Sequence, residues 1–159
     1  MKRHMGMHIT LAAVLVLMTA SFASGQKQGR PPGWRGMQPD EQVAWGEEFR
    51  KAQKSVEEKI GKMEGLTETD SKRALASLAN MTAAGVPITE ARKLTVGLLD
   101  RGFKGAEMLA VSETMSRGVK GGLKPSRILF FIRDRVNEDL RGKELTDAIN
   151  KAIDSALGL

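Results

Sequence analysis

Four carboxylates, Glu90, Glu107, Glu113 and Glu138, are the side chains of this chain best suited to proton transfer. Two of them flanking a glycosidic bond would suffice for hydrolysis of a wall polysaccharide, because one carboxyl can act as acid and the other as base or nucleophile. All four fall at polar positions of helical patterns, where solvated faces carry glutamate routinely. No pair is singled out by its spacing, so no catalytic residue is assigned.

The second group is cationic. The stretch "SRGVKGGLKPSR", Ser116 to Arg127, brings glycines together with Arg117, Lys120, Lys124 and Arg127. Backbone amides at a glycine turn and at a helix start favour an anion, and cations would share its charge. The segment lacks the GxxxxGK[ST] spacing of a nucleotide-binding loop, and no strand pattern precedes it. Its first role is a joint between helices, with the four cations as a candidate anion-binding set. From Arg117 to Arg135 the cations also include Arg133 and Arg135, against the single acid Asp134.

Excluded chemistries follow from composition. The chain holds 159 residues with no Cys, no Tyr and two His, His4 and His8, both near the start. "MKRHMGMH" is a short basic opening, and Ile9 to Phe22 is an apolar run of 14 residues. That is short of the about 20 needed to span a bilayer but suits a signal-peptide core. Small residues at Ser21 and Ala23 predict cleavage after Ala23, with Gly25 as the alternative site and an uncleaved membrane anchor as the alternative fate. The expected location is periplasmic or secreted.

Removing residues 1–23 takes both histidines. The remainder has no Ser/His/Asp triad, no thiol nucleophile and no imidazole or thiolate zinc site, so neither metal nor cofactor is expected. It carries 23 cations against 19 acids, a net of +4. This mild balance argues against specific nucleic-acid binding. Met81, Met108 and Met115 read as core gap fillers, since soft-metal sites pair Met with His or Cys.

Residues 24–38, rich in Gly, Pro and Gln, have no apolar periodicity and are expected to form a flexible linker. Trp34 within it would dock on the protein's own surface or on a partner. Residues 39–64 form an amphipathic helix, opened by Pro39 and Asp40. Its stripe of Trp45, Phe49, Ala52, Val56, Ile60 and Met63 would pack on the domain or meet a partner helix, for which Trp45, Phe49, Val56 and Ile60 are the candidate face. Glu47 with Lys51 and Glu58 with Lys62 have helix-supporting spacing.

Residues 65–159 are read as a helical-repeat domain. Gly65, Gly85, Gly102, Gly122 and Gly142 recur at intervals of 20, 17, 20 and 20. An apolar residue follows each of the first four, then a polar or Pro-containing turn, then an amphipathic run. Each glycine would close one helix in the left-handed conformation while the next apolar residue packs back on it. In the last, Lys143 interrupts this order and the apolar residue is delayed to Leu145. Thr67 with Asp70 has capping-box spacing, and Pro87 and Pro125 suit helix starts. "ILFFI", Ile128 to Ile132, is expected at the centre of the core, with Phe131→Ala costing about 3 to 5 kcal/mol.

The sequence therefore predicts an all-α protein of short helices in a helix-turn repeat of about 20 residues, as a compact bundle or short α-solenoid, behind one longer amphipathic helix. Its expected function is that of an exported, non-enzymatic interaction or structural module of the cell envelope, binding another envelope protein or itself. The alternative is a weak binder of anionic polymers or a membrane surface through residues 117–135. A carboxylate-based wall enzyme comes third.

Overall fold

The computed structural model describes residues 29–159. The leader, its cleavage site, both histidines and the first part of the linker lie outside the described residues. A 3₁₀ turn at Trp34–Gly36 precedes six α-helices among the described residues: α1 Pro39–Ile60, α2 Glu68–Ala83, α3 Ile88–Asp100, α4 Gly105–Lys120, α5 Pro125–Asn137 and α6 Gly142–Leu157. The protein is all-α, as its sequence predicts.

Helix starts follow local chemistry. Pro39 stands at the first turn of α1, and the Gln38 amide donates to Glu41 Oε2 at 2.9 Å. At α2, the Asp70 amide donates to Thr67 Oγ1 at 3.0 Å, and the Asp70 carboxylate accepts back from the Thr67 amide. This reciprocal arrangement satisfies donors that have no partner inside the helix.

Helix ends follow one rule as well. Val86, Phe103, Leu123 and Leu140 each donate their amide to the carbonyl five residues back, on Met81, Leu98, Gly118 and Arg135. The residue before each has positive φ: Gly85, Gly102, Gly122 and, in the fourth case, Asp139 at 58°. Here the sequence reading is corrected. Gly142 does not close α5; it is the first residue of α6, and Asp139 does the closing with Leu140 as the apolar residue that follows. Gly65 does not close a helix either, although its φ is 79°: α1 ends at Ile60 with Gly61 as its cap at φ −63°, and the closures at 85, 102, 122 and 139 lie 17, 20 and 17 residues apart.

Alternating intervals reflect alternating helix lengths. Helices α2, α4 and α6 have 16 residues each and begin at 68, 105 and 142, while α3 and α5 have 13 and begin at 88 and 125. Both series advance by 37 residues. In space, α2 packs along α4 and α4 along α6, while α1 packs along α3. Fully buried Phe49, Leu78, Met81, Leu98, Met115 and Ile149 belong to a single core cluster that every helix joins. Ser77, also fully buried, donates its hydroxyl to the Met108 carbonyl at 3.0 Å and so pins α2 to α4. Burial of a hydroxyl requires such a partner.

One further expectation changes. Phe130 is 65% exposed and Phe131 only half-buried, whereas Ile128, Leu129 and Ile132 are buried. Five successive helical residues sweep more than a full turn, so a helix packed on one side leaves some of them outside. The described part of the linker, residues 29–38, lies against α1, and of the two expected fates of Trp34 the structure shows docking on the protein's own surface. Gly29 is buried beside the Phe49 ring, and Trp34 meets Trp45 edge-on at 5.2 Å.

Candidate functional site

The six cations between Arg117 and Arg135 divide into two sets. Arg117, in the last turn of α4, donates from Nε to Asn150 Oδ1 at 3.0 Å and pairs with Asp154 at 2.8 Å, both on α6. Arg133 on α5 pairs with Glu90 on α3 at 2.8 Å. Arg135 pairs with Glu138 at 2.7 Å. These three hold helices together or brace a helix end. Lys120, Lys124 and Arg127 have no acidic partner within 4 Å among the described residues.

Those three surround the turn between α4 and α5. Lys124 is the residue just before α5, and it lines an open hollow of about 540 Å³ with Leu123, Ser126, Arg127, Phe130 and Phe131. The two rings meet edge-on at 6.3 Å, and the Arg127 guanidinium lies 5.8 Å from the centre of the Phe131 ring. Of the candidate anion-binding set, the structure brings Lys124 and Arg127 to one hollow, leaves Lys120 at the preceding helix end, and engages Arg117 elsewhere. Phe130 was not among the predicted site residues, because its place in an apolar run assigned it to the core.

The candidate partner-helix face is largely internal. Phe49 and Val56 are fully buried, and Trp45 and Ile60 pack partly buried against the same core. Phe49 also stacks on Trp45 at 4.9 Å with nearly parallel rings. The stripe is therefore unavailable to a partner helix, because the domain's own helices α2 and α3 cover it. What remains open at that end is a shallow surface where Arg30 lies 4.9 Å over the Trp34 ring, beside the 60%-exposed Val43.

The carboxylates do not converge. Glu107 Oε2 accepts from the Lys104 amide at 3.0 Å and its Oε1 from the Gly142 amide at 3.1 Å, joining the starts of α4 and α6. Glu90 binds Lys93 and Arg133, and hydrogen bonds from these two, Lys93 first, hold its carboxyl below the ordinary glutamate range. Glu138 is engaged by Arg135. Glu113 is exposed on α4. The methionines Met81, Met108 and Met115 are fully buried in the core cluster.

No protein-family model, curated protein or solved structure matches the chain. Among the described residues, no helix is long and apolar enough to cross a membrane.

Proposed function

We propose that this protein is an exported, non-enzymatic helical binding module of the cell envelope, acting through its surface on another envelope component or on a second copy of itself. The observation that carries the reading is the use of its charged side chains as braces between helices. Asp70 and Glu107 each cap their own helix and accept the first amide of the helix two further on, Gly105 and Gly142. Arg101 donates to the Val136 carbonyl at 2.9 Å, and Arg141 donates to the Arg101 carbonyl at 2.7 Å while lying over the Phe103 ring. A braced row of helices offers a fixed surface, which is what a binding module requires. Of the four candidate glutamates, Glu90 and Glu107 are occupied by this bracing and Glu138 by Arg135 at the end of its own helix.

Chemical crosslinking in the native envelope followed by affinity recovery tests the reading. A discrete crosslinked species, with the recovered chain beginning near residue 24, is expected. Recovery of an uncrosslinked chain that releases sugar from wall polysaccharide, with the activity lost in Glu113→Gln, would replace the module by a carboxylate enzyme. An intact first residue in the soluble cell interior would remove the envelope from the proposal.

A further inference from the structure

We infer that the corner between α4 and α5 is a docking surface for an anionic lipid bilayer, with Phe130 entering the headgroup region and Lys120, Lys124 and Arg127 meeting lipid phosphates. The inference rests on the reading of the protein as a binding module and names what one of its surfaces binds.

The fold supplies its own control. Helix α3 has the same length as α5 and lies 37 residues earlier, so its residues mark what this position requires structurally. Where α5 carries Lys124, Arg127 and Phe130, α3 and its leading turn carry Pro87, Glu90 and Lys93. Lys93 is exposed and salt-bridged to Glu90, an ordinary solvated pair. At the matching positions the α3 corner carries no exposed aromatic, and its one cation there, Lys93, is paired. Phe130 and its flanking charges are therefore additions to the architecture.

Exposure, charge and size select the ligand. A 65%-exposed phenyl ring is disfavoured in water and gains by entering an interface. A soluble polyanion would satisfy the cations and leave the ring wet, whereas an anionic bilayer satisfies both. The patch is about two helical turns long, far smaller than the roughly 20 to 30 residues a side of a stable protein interface. Peripheral membrane contact needs only a few basic and aromatic side chains. The hollow is open to solvent, as contact with a broad surface requires.

Co-sedimentation with phosphatidylglycerol–phosphatidylcholine vesicles tests the inference, with pure phosphatidylcholine vesicles and soluble heparin as parallel arms. Every arm uses the full chain with the same N-terminus, so the apolar run 9–22 contributes equally. Each cation near an anionic bilayer changes partition about fivefold. The triple variant K120Q/K124Q/R127Q is therefore expected to bind anionic vesicles about a hundredfold more weakly. Wild-type binding should fall with added salt. Phe130→Ala and Phe130→Gln, neither of which changes the charge, should each weaken vesicle binding severalfold and leave heparin binding unchanged.

Circular dichroism melts confirm folding, and since these side chains are exposed, the variants should melt with the wild type. Equal binding to anionic and neutral vesicles, or an unchanged partition in the triple variant and in both Phe130 variants, would overturn the inference. Heparin binding lost in the triple variant without any vesicle binding would overturn it in favour of a soluble polyanion. In either case a crosslinked partner that persists in Phe130→Ala leaves the module reading standing.

Discussion

Asp70 Oδ1 accepts a hydrogen bond from the Gly105 amide at 3.2 Å, across 35 positions of sequence. Glu107 and Gly142 repeat this relationship at the same separation one helix pair later. In both cases a side chain capping one helix also takes a free amide donor at the start of the helix stacked beside it. The close approach that this requires, and the charge that it depends on, give the first two expectations.

Gly105 lies against α2 so tightly that a Cβ added there would stand 2.6 Å from the Asp70 Cα and 2.8 Å from the Arg73 Cβ. Backbone atoms cannot yield as a flexible side chain can. Gly105→Ala is expected to cost about 1 to 3 kcal/mol through separation of α2 from α4. Gly97, inside α3, has nothing within 4 Å of an added Cβ. Gly97→Ala is expected to stabilise by about 0.5 to 1 kcal/mol. Urea denaturation of the two variants side by side checks both signs.

The Asp70 carboxyl is held below the ordinary aspartate range, first by the Thr67 hydroxyl and then by the Thr67 and Gly105 amides. A depressed pKa in the folded state means that the charged form stabilises. That contribution is complete above the unfolded value, about 3.9, and is lost as pH falls through the folded value. The melting temperature of Asp70→Asn should lie below that of the wild type at pH 6. The difference should narrow below pH 4, and a constant difference would remove Asp70 from the linkage.

Asp139 closes α5 with φ at 58°, where its counterpart closing α3, Gly102, is a glycine at 74°. An L-residue in this conformation is strained by up to about 1 to 2 kcal/mol, less for Asp than for most, whereas glycine is not. Asp139→Gly is expected to raise the melting temperature and Asp139→Val to lower it. Calorimetry in one buffer decides the order.

Ile132 is fully buried and Phe131 half-buried, although they are neighbours on α5. Ile132→Ala is expected to cost about 2 to 5 kcal/mol. Phe131→Ala should cost less, under about 2 kcal/mol, since its ring already touches solvent. Chemical denaturation of both variants tests the ranking, which replaces the larger loss that the sequence alone assigns to Phe131.

Local signals in the sequence were the ones that translated into structure. The start of α1 at Pro39, the Thr67 with Asp70 box, and the inward stripe through Phe49 and Val56 all depend on residues within a few positions of one another. Asp139 escaped because a left-handed residue was sought as glycine. The 17-residue interval from Gly122, and Leu140 directly after it, were the signal that marked it. Arg117 escaped for another reason. Its partners Asn150 and Asp154 come from a helix more than 30 residues on, and nothing local announces that α6 lies beside α4. The same limit hid the surface at Phe130. Periodicity shows that a residue is apolar, but only the placement of neighbouring helices shows whether it is covered.

The paired hydrogen bonds at Gly105 and Gly142 make the spacing of α2, α4 and α6 behave like the rungs of a ladder. A second copy of residues 105–141, inserted between Arg141 and Gly142, would open with a glycine for Glu107 to clasp and would carry its own glutamate for the glycine beyond. The molecule would then lengthen by one whole hairpin without any new joinery. Growth by other amounts would break the clasp, so length in this architecture changes by fixed increments.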